Sequence, residues 1–309
     1  KSKAPDPTRT PKDLSKCGFA TQQVHAGKTK ESIGAVTTPI YCTSSFILDS
    51  VEQGKRRFAM EESGYLYSRP DNPNVNEVER KVAMLEGGED ASATGSGMGA
   101  ICSTILTLLK NGDEILAHKT LYGCTFVFFD KNLKDFGIKT VFADFTNLES
   151  IKPALTEKTK MVYFETPCNP NMAIIDIEAV AKIVHECNKN ILVVVDNTFC
   201  SPYITKPISL GVDIVVHSAT KYLNGHGDAL GGFIIANKEL IKKIKRPGVN
   251  NITGAIMSPF TAYLITRGLL TLDIRMERHS KNTMQIAKFL ESHPAVLKVY
   301  YPGLESFKG

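Results

Sequence analysis

The chain has 309 residues, of which 42% are hydrophobic and 22% charged, a composition typical of a globular protein with one large or two smaller domains. The formal charge of +5 is spread along the sequence without a long Lys/Arg block, which argues against a nucleic-acid partner. No apolar run is long enough for a membrane span, and we expect no membrane partner.

The N-terminal part of the chain begins with a Pro-rich, polar stretch at 1–13, which predicts a mobile arm. The first strong helical pattern covers residues 73–87. Apolar residues recur there at helical spacing, Pro73 suits a first turn, and Gly87 suits the end of the helix. After this helix, segments typical of strands begin to alternate with helical patterns.

The middle of the chain contains short apolar segments separated by helical patterns. This alternation predicts an α/β fold with a mainly parallel central sheet and helices on both faces. Ligands of such sheets bind beyond the carboxyl ends of the strands. The predicted strands are 114–118, 138–143, 161–165, 191–196, 213–217 and 231–236, and the predicted helices lie near 122–135, 147–155 and 176–187.

The C-terminal part of the chain changes character from Ser258 onward. Strand patterns fade, and a helical pattern spans roughly 273–292. This change predicts the entry to a second domain, but the sequence ends at Gly309 with too few residues to complete it. We therefore expect the C-terminal domain to be truncated.

The segment GSGMGA at 95–100 lies between a predicted short strand and an apolar helical run. Its glycines would let backbone N–H groups approach an anion at a helix N-terminus. The spacing fits neither the dinucleotide fingerprint nor a P-loop, so a nucleotide-binding oxidoreductase has little support. Taken alone, the segment suits a phosphate cradle and a tight turn equally well.

Two charged residues stand at the ends of predicted strands. Asp196 is either a capping or turn aspartate or the partner of a protonated heterocycle. Lys221 is either a solvated loop lysine or a nucleophile, which needs a neutral amine favoured by partial burial or a nearby cation. Ser218 and Thr220 flank Lys221 with hydroxyls that could donate to a phosphate. An anion cradle, a carboxylate and an amine together are what pyridoxal phosphate requires.

The seven cysteines are odd in number, widely scattered, and form no C-x-x-C pair. This pattern argues against a disulfide framework or a cysteine zinc site and favours a reducing, cytoplasmic compartment. The seven histidines form no HExxH or paired-ligand pattern, so we expect no metal site.

Several motifs resemble one family in particular. HSATKYLNGHGDALGG at 217–232, VVVDNTF at 193–199 and LYGCT at 121–125 follow the order found in the cysteine and methionine metabolism family of pyridoxal-phosphate enzymes. The resemblance runs from FATQQVHAG, which begins at Phe19, to PGLESF near the end of the chain. It implies the aspartate-aminotransferase-like fold (fold type I) and pyridoxal 5'-phosphate as cofactor.

The resemblance implies a role for each matching residue. Lys221 would bind the cofactor covalently and move protons among the reacting carbons, while Asp196 would keep the ring nitrogen protonated. Tyr122 would stack on the ring and assist the leaving group, and Asn169 would lie near the ring oxygen. The phosphate would be held by Gly97, Met98, Ser218 and Thr220 of one subunit and by Tyr67 and Arg69 of its neighbour.

The resemblance also implies an assembly and a domain division. Since the arm residues would complete a neighbour's site, it implies a homotetramer made of two dimers with shared active sites. Residues 1–70 would form the arm, 71–270 the cofactor domain, and 271–309 the incomplete start of an α+β C-terminal domain. The arginine that this domain supplies for the substrate carboxylate is not in the sequence, which leaves a cofactor-binding but inactive form open.

Within the family, Cys124 and GHGD at 225–228 resemble the methionine γ-lyases, and Cys124 is counted among the catalytic residues because it would tune substrate preference. The resemblance implies γ-elimination of a sulfur amino acid, L-methionine, to methanethiol, 2-oxobutanoate and ammonia. Asn250 and Asn251 replace a Lys-Asp pair usual in those enzymes. This departure leaves cystathionine γ-lyase or a related trans-sulfuration activity as the alternative.

Overall fold

A seven-stranded sheet forms the centre of the molecule. The computed structural model describes residues 13–28 and 34–308, so the predicted mobile arm lies almost entirely outside the described residues. Most strands are buried along most of their length, and three of them are rich in Val and Ile, as expected for a sheet covered on both faces. The strands are β1 (Asp90–Thr94), β2 (Glu114–His118), β3 (Lys139–Ala143), β4 (Thr159–Glu165), β5 (Leu192–Asp196), β6 (Ile214–Ser218) and β7 (Gly232–Ala236).

The order of strands across the sheet is β1-β7-β6-β5-β4-β2-β3. The pairs from β6 through β3 are all parallel, whereas β7 runs antiparallel to both of its neighbours. The mainly parallel sheet is therefore confirmed, with one reversed strand. The carboxyl ends of β4, β5 and β6 meet at one edge, where Glu165 pairs in register with Asp196.

Helices cover both faces of this sheet and form two apolar cores. One core packs α3, α7, α10 and the start of α11 against the sheet, and the other packs α4, α9 and residues 128–138 against the opposite face. The helices are α1 (Phe19–His25), α2 (Val51–Ala59), α3 (Pro73–Glu86), α4 (Gly97–Leu108), α5 (Gly123–Val127), α6 (Ile151–Ala154), α7 (Ile177–Cys187), α8 (Ser201–Ile204), α9 (Lys238–Lys243), α10 (Pro259–Leu269) and α11 (Leu272–Glu291).

The predicted helix at 73–87 is confirmed as α3. The Asn72 side chain caps its start by accepting from the Asn74 N–H at 3.0 Å, and Gly87 ends it in the left-handed region at φ 78°. The pattern near 176–187 is confirmed as α7, and the long C-terminal pattern is confirmed as α11.

Two predicted helices are wrong in their extent. The pattern at 122–135 predicted one helix, but α5 is followed by a π-helical turn, Phe128–Asn132, and then a short 3-10 turn. Both Phe128 and Phe129 are buried, and the wider turn lets adjacent rings pack into one core. The pattern at 147–155 yields only a 3-10 turn and the four-residue α6, which contains a proline.

The N-terminal part of the described chain has two distinct halves. Helix α1 packs on α3, where the buried Lys81 ammonium donates to the Gln23 carbonyl at 2.8 Å. Residues 34–70 are mostly irregular apart from α2 and expose large apolar side chains, including Ile47 and Phe58. Within the described residues, no helix has the length and apolar character needed to cross a membrane.

Candidate active site

A cavity of about 220 Å³ lies at the carboxyl ends of β4, β5 and β6, beside the N-terminus of α4. Eight of the eleven residues predicted for the site line it, and three do not: Tyr67, Arg69 and Cys124. The lining residues are Ser96, Gly97, Met98, Ile101, Tyr122, Glu165, Pro167, Asn169, Asp196, Thr198, Phe199, Ser218, Thr220, Lys221 and Leu230.

One end of the cavity is the first turn of α4, which contains Gly97 and Met98. The Ser96 hydroxyl caps this helix by accepting from the Gly99 N–H at 3.0 Å, while the first-turn N–H groups have no partner within the helix. A Cβ on Gly97 would lie 2.8 Å from the Ser218 Cβ, so only glycine lets the helix approach the end of β6 this closely. The result is a small concave surface of N–H and hydroxyl groups that suits an anion.

The Asp196 carboxyl occupies the other side of the cavity at the end of β5. Its Oδ1 accepts from both the N–H and the hydroxyl of Thr198, at 3.0 and 2.5 Å, and its Oδ2 accepts from the Tyr163 hydroxyl at 3.4 Å. Burial raises the pKa of Asp196, and these donors oppose that shift. All these partners are neutral, so the carboxylate suits a cationic group of a ligand.

Glu165 is a site residue that the sequence reasoning missed. Its side chain is 5% exposed and stands beside Asp196, because the two residues are paired across β4 and β5. The Asn169 N–H donates to Glu165 Oε1 at 2.8 Å. Burial, with the nearby Asp196 charge, raises the pKa of Glu165 to about 8, and the Asn169 and Tyr122 N–H groups oppose the shift. The carboxyl therefore links two loops that carry predicted site residues.

The two remaining reactive side chains of the cavity lie at its opening. Tyr122 precedes α5, and its hydroxyl accepts from the Cys124 thiol at 3.4 Å, a contact that raises the pKa of Tyr122. Cys124 thus touches Tyr122 without lining the cavity itself. Lys221 follows β6 and its side chain is exposed, so the partial burial considered from sequence is absent in the single chain.

Tyr67 and Arg69 lie outside the cavity and contact a different part of the chain. The Arg69 guanidinium lies 5.8 Å from the Tyr67 ring centroid and donates to the Asn250 carbonyl at 2.6 Å. Asn250 belongs to a π-helical segment, Ile244–Thr253, and does not line the cavity either. These residues form one group, and Cys124 lies apart from them at the cavity opening.

Comparison with known proteins gives a consistent result. Residues 20–309 match the family described as Cys/Met metabolism PLP-dependent enzyme. An L-methionine gamma-lyase of Porphyromonas gingivalis is 54% identical over 96% of this chain and 74% of its own length. A cystathionine beta-lyase of Coxiella burnetii is 45% identical over 93% and 72%. The crystal structure of metB from Corynebacterium glutamicum superposes with a TM-score of 0.89 at 38% identity, covering 95% of this chain and 74% of that one.

The cavity fits the cofactor that this family name contains. Pyridoxal phosphate needs an anion cradle, a carboxylate for its ring nitrogen and an amine for its aldehyde. The first turn of α4, Asp196 and Lys221 offer these three groups in one cavity. The structural match confirms the fold type I architecture predicted from the motifs. The chain belongs to the Cys/Met metabolism family of pyridoxal-phosphate-dependent enzymes.

Proposed function

We propose that this chain is a carbon–sulfur lyase that converts L-methionine and water to methanethiol, 2-oxobutanoate and ammonia. Relatives named L-methionine gamma-lyase at 46–54% identity over most of the chain support this activity. The observation that carries the proposal is the single cavity in which Lys221, Asp196 and the N-terminus of α4 converge.

Pyridoxal phosphate is held by groups at both ends of the cavity. The N–H groups of Gly97 and Met98 and the hydroxyls of Ser218 and Thr220 bind its phosphate, a use supported by their position at a helix N-terminus. Asp196 would pair with the ring nitrogen, since the hydrogen bonds that its carboxylate accepts from the described residues come from neutral donors. Asn169, whose N–H donates to Glu165, would lie near the ring oxygen.

The chain's own residues move the protons of the reaction. When bound, the cofactor supplies an electron sink that stabilises negative charge on the substrate carbons. The Lys221 amine removes the α-proton of the substrate, passes that proton on to the bound cofactor and, neutral again, removes a β-proton. The Tyr122 hydroxyl, which lines the cavity and is protonated near neutral pH, gives a proton to the departing methanethiolate. The Cys124 thiol contacts that hydroxyl and so tunes the donor.

Two or more copies of the chain share their active sites. Tyr67 and Arg69 lie outside their own cavity, and the segment that carries them exposes Val36, Ile47 and Phe58. Burial of this apolar surface against a second copy would bring the Arg69 guanidinium to the neighbour's phosphate, which its planar fork binds well. A homotetramer made of two such dimers is the proposed assembly.

The proposed organisation and compartment follow from the same features. Residues 71–270 hold the cofactor, 1–70 contain the arm, and 271–309 begin the next domain with α11. All seven cysteines are free, which supports a reducing, cytoplasmic compartment. To test this, the protein is alkylated immediately after the cells are broken, and the modified cysteines are counted. All seven thiols should be alkylated.

Cystathionine cleavage is the second candidate, because a cystathionine beta-lyase is 45% identical over 93% of the chain. The two substrates differ in the size of the leaving group. The Asn250 carbonyl accepts a hydrogen bond from Arg69, and Asn251 follows it in the same π-helical segment. Comparing kcat/KM for methionine and for cystathionine decides between the two. A higher kcat/KM for cystathionine contradicts the methionine proposal.

The direct test starts with the visible spectrum of the purified chain after addition of pyridoxal phosphate. A yellow band that borohydride fixes onto the peptide containing Lys221 is the expected result. Methionine should then yield 2-oxobutanoate and methanethiol in equal amounts. A protein that binds the cofactor at Lys221 but releases neither product supports the inactive form, and a colourless, unlabelled protein contradicts the cofactor assignment.

A further inference from the structure

The loop between β6 and β7, residues 219–231, carries Lys221 and is here called the lysine loop. Short backbone bonds shape its first half: the Asn224 N–H donates to Ala219 O at 2.9 Å and the Gly225 N–H to Lys221 O at 2.7 Å. The buried side chains of Ala219 and Leu223 anchor the loop in the apolar core. A side-chain hydrogen bond reaches it from another element, α11.

Arg275, one turn into α11, ties the lysine loop to two other elements. Its Nη1 donates to the Tyr222 carbonyl at 2.7 Å, directly after Lys221 in the chain. Its Nη2 donates to the Gly268 carbonyl near the end of α10 at 2.8 Å, and its Nε donates to the Thr271 hydroxyl at 3.1 Å. One guanidinium therefore joins the lysine loop, α10 and the start of α11.

Two glycines make this arrangement possible. A Cβ on Gly225 would lie 2.1 Å from Arg275 Nη1, and Gly225 also has a φ of +76°, which glycine adopts most easily. A Cβ on Gly268 would lie 2.1 Å from the Asn224 carbonyl oxygen. The loop and the α10–α11 junction therefore fit each other closely, and the guanidinium fills the space that a side chain at residue 225 would take.

A second contact comes from the next turn of α11. The His279 ring lies 5.4 Å, between centroids, from the ring of Tyr222. Helix α11 thus holds both the backbone carbonyl and the side chain of the residue that follows Lys221. Of these two contacts, only the one from Arg275 also reaches α10. Arg275 therefore links the position of the lysine loop to both α10 and α11.

We propose that Arg275 is a positioning residue for Lys221: by fixing the Tyr222 carbonyl it keeps the lysine amine directed into the cavity. The inference rests on the proposed role of Lys221 in the reaction. A lysine could not replace Arg275, because a single ammonium on a flexible stem cannot span the carbonyls of Tyr222 and Gly268 and the Thr271 hydroxyl with the geometry of a guanidinium fork.

The experiment compares Arg275→Lys and Arg275→Met with two controls in the full chain loaded with pyridoxal phosphate. Arg278→Met changes an exposed arginine on the same helix, and Leu133→Ala shortens a buried leucine in the apolar core on the other face of the sheet. The measurements are the rate at which borohydride fixes the cofactor to Lys221, hydrogen exchange of the amides at 221–225, and kcat and KM for methionine.

Both Arg275 variants should fix the cofactor to Lys221 more slowly and exchange the loop amides faster. Their kcat should fall by about 10-fold to 100-fold with KM changed less than about threefold, as expected when a reacting group is misplaced by about 1 Å. Arg278→Met should behave as wild type. Leu133→Ala should lower the melting temperature without slowing fixation, which separates positioning from loss of stability.

The inference would be overturned if both Arg275 variants matched the wild type in the rate of fixation, the exchange of the loop amides and kcat. If Arg275→Met does not fold, Thr271→Val removes the acceptor of Nε, together with the 3.3 Å bond that the Thr271 hydroxyl donates to the Gly268 carbonyl. This variant should shift the same three measurements by a smaller amount, and no shift would also overturn the inference. A wild-type chain that is never labelled at Lys221 contradicts the proposed function instead, so the two failures are distinguishable.

Discussion

The cavity at the sheet edge and the segment around Arg69 are built in opposite ways. The cavity residues stand at the ends of buried strands, and hydrogen bonds within the chain fix Asp196 and Glu165. The segment around Arg69 has a single isolated bridge, Ser45 to Tyr67, and exposes apolar side chains. The cavity is therefore formed by the sheet of this chain. The segment around Arg69 carries residues of the types that bind phosphate, but they do not line the cavity of their own chain.

This difference teaches how the chemistry is divided. The proposed partner of the ring nitrogen, Asp196, stands at the end of β5, where backbone pairing sets its separation from β6. Lys221 lies three residues beyond β6, on the lysine loop that Arg275 contacts. Arg69, the proposed phosphate partner from a second copy, lies on a segment outside the cavity. Variants of the cavity residues should therefore lower the rate of the reaction. Variants of the segment around Arg69 should instead weaken assembly and cofactor retention.

The largest effect is expected for Lys221→Ala. Loss of the proton-transferring amine should lower kcat by at least about 10³-fold while the fold is retained, because Lys221 is exposed and outside the core. The measurement is 2-oxobutanoate release from methionine together with circular dichroism. Lys238→Ala, at the exposed start of α9, is the matched control. Substantial activity in Lys221→Ala would break the assignment of the amine.

Asp196→Asn comes next. The amide keeps the shape and can still accept from Thr198, but it cannot pair as an anion with a protonated ring nitrogen. We expect kcat to fall by about 10²-fold to 10³-fold, the size typical of a lost electrostatic partner in an active site. The absorption maximum of the bound cofactor should also shift. An unchanged spectrum and rate would place the ring nitrogen elsewhere.

Arg69→Ala tests the second region. Loss of a charge-assisted phosphate contact should weaken cofactor retention by about 10-fold to 100-fold, measured by equilibrium dialysis, with little change in thermal stability. Arg56→Ala, which breaks an exposed ion pair with Glu62 in the same segment, is the control and should retain the cofactor. Equal loss in both variants would contradict a specific role for Arg69.

Mixing Lys221→Ala with Arg69→Ala, at a cofactor concentration too low to load Arg69→Ala, sharpens the comparison further. If the sites are shared, a pair formed by Lys221→Ala and Arg69→Ala contains one site with both residues intact. After dissociation and reassociation, about a quarter of the sites should recover wild-type activity. The activity of the mixture is compared with that of each variant treated alone. A mixture no more active than the better of its two components would show that each chain uses its own Arg69.

The smallest effect is expected for Glu165→Gln without cofactor. Because the pKa of Glu165 is raised from 4.5 to about 8, the folded chain keeps a proton that the unfolded chain loses. This contribution to stability is therefore fully present below about pH 4.5 and is lost as the pH rises toward 8. Relative to wild type, the variant should gain about 1 kcal/mol in unfolding free energy for each pH unit between pH 5 and 8, measured by urea denaturation. A pH-independent difference would contradict the buried, protonated carboxyl.

Much of the fold could be predicted because buried strands have an unmistakable composition. EILAH at 114–118 and ILVVVD at 191–196 are apolar enough to identify as strands without any other information. The direction of β7 could not be predicted, since GFIIA is equally suitable for either orientation and pairing decides it. The π-helical segment Ile244–Thr253 was missed because it contains Pro247, which normally indicates a loop.

The site could be predicted only where motifs were distinctive. Lys221 and Asp196 stood at strand ends within such motifs, and both line the cavity. Glu165 stood at a strand end too, but a glutamate before Thr-Pro has the pattern of an ordinary surface turn. Glu165 lies at the site because the register of the adjacent strands β4 and β5 pairs it with Asp196, and this register is not evident from the sequence. Arg275 was missed for a similar reason: its partners are carbonyl groups, which no residue pattern reveals.

The reversed strand β7 has a consequence for how the chain matures. Gly232 at the start of β7 pairs with both Thr94 and Ser218, so it joins the two strands that lead into the anion cradle and the lysine loop. During synthesis, β1 and α4 emerge long before their partner, and this non-local pairing is intrinsically slow. The ribosome must therefore pass residue 236 before the phosphate cradle can close. On the proposed phosphate assignment, we expect the cofactor to bind only after β7 has completed the sheet between β1 and β6.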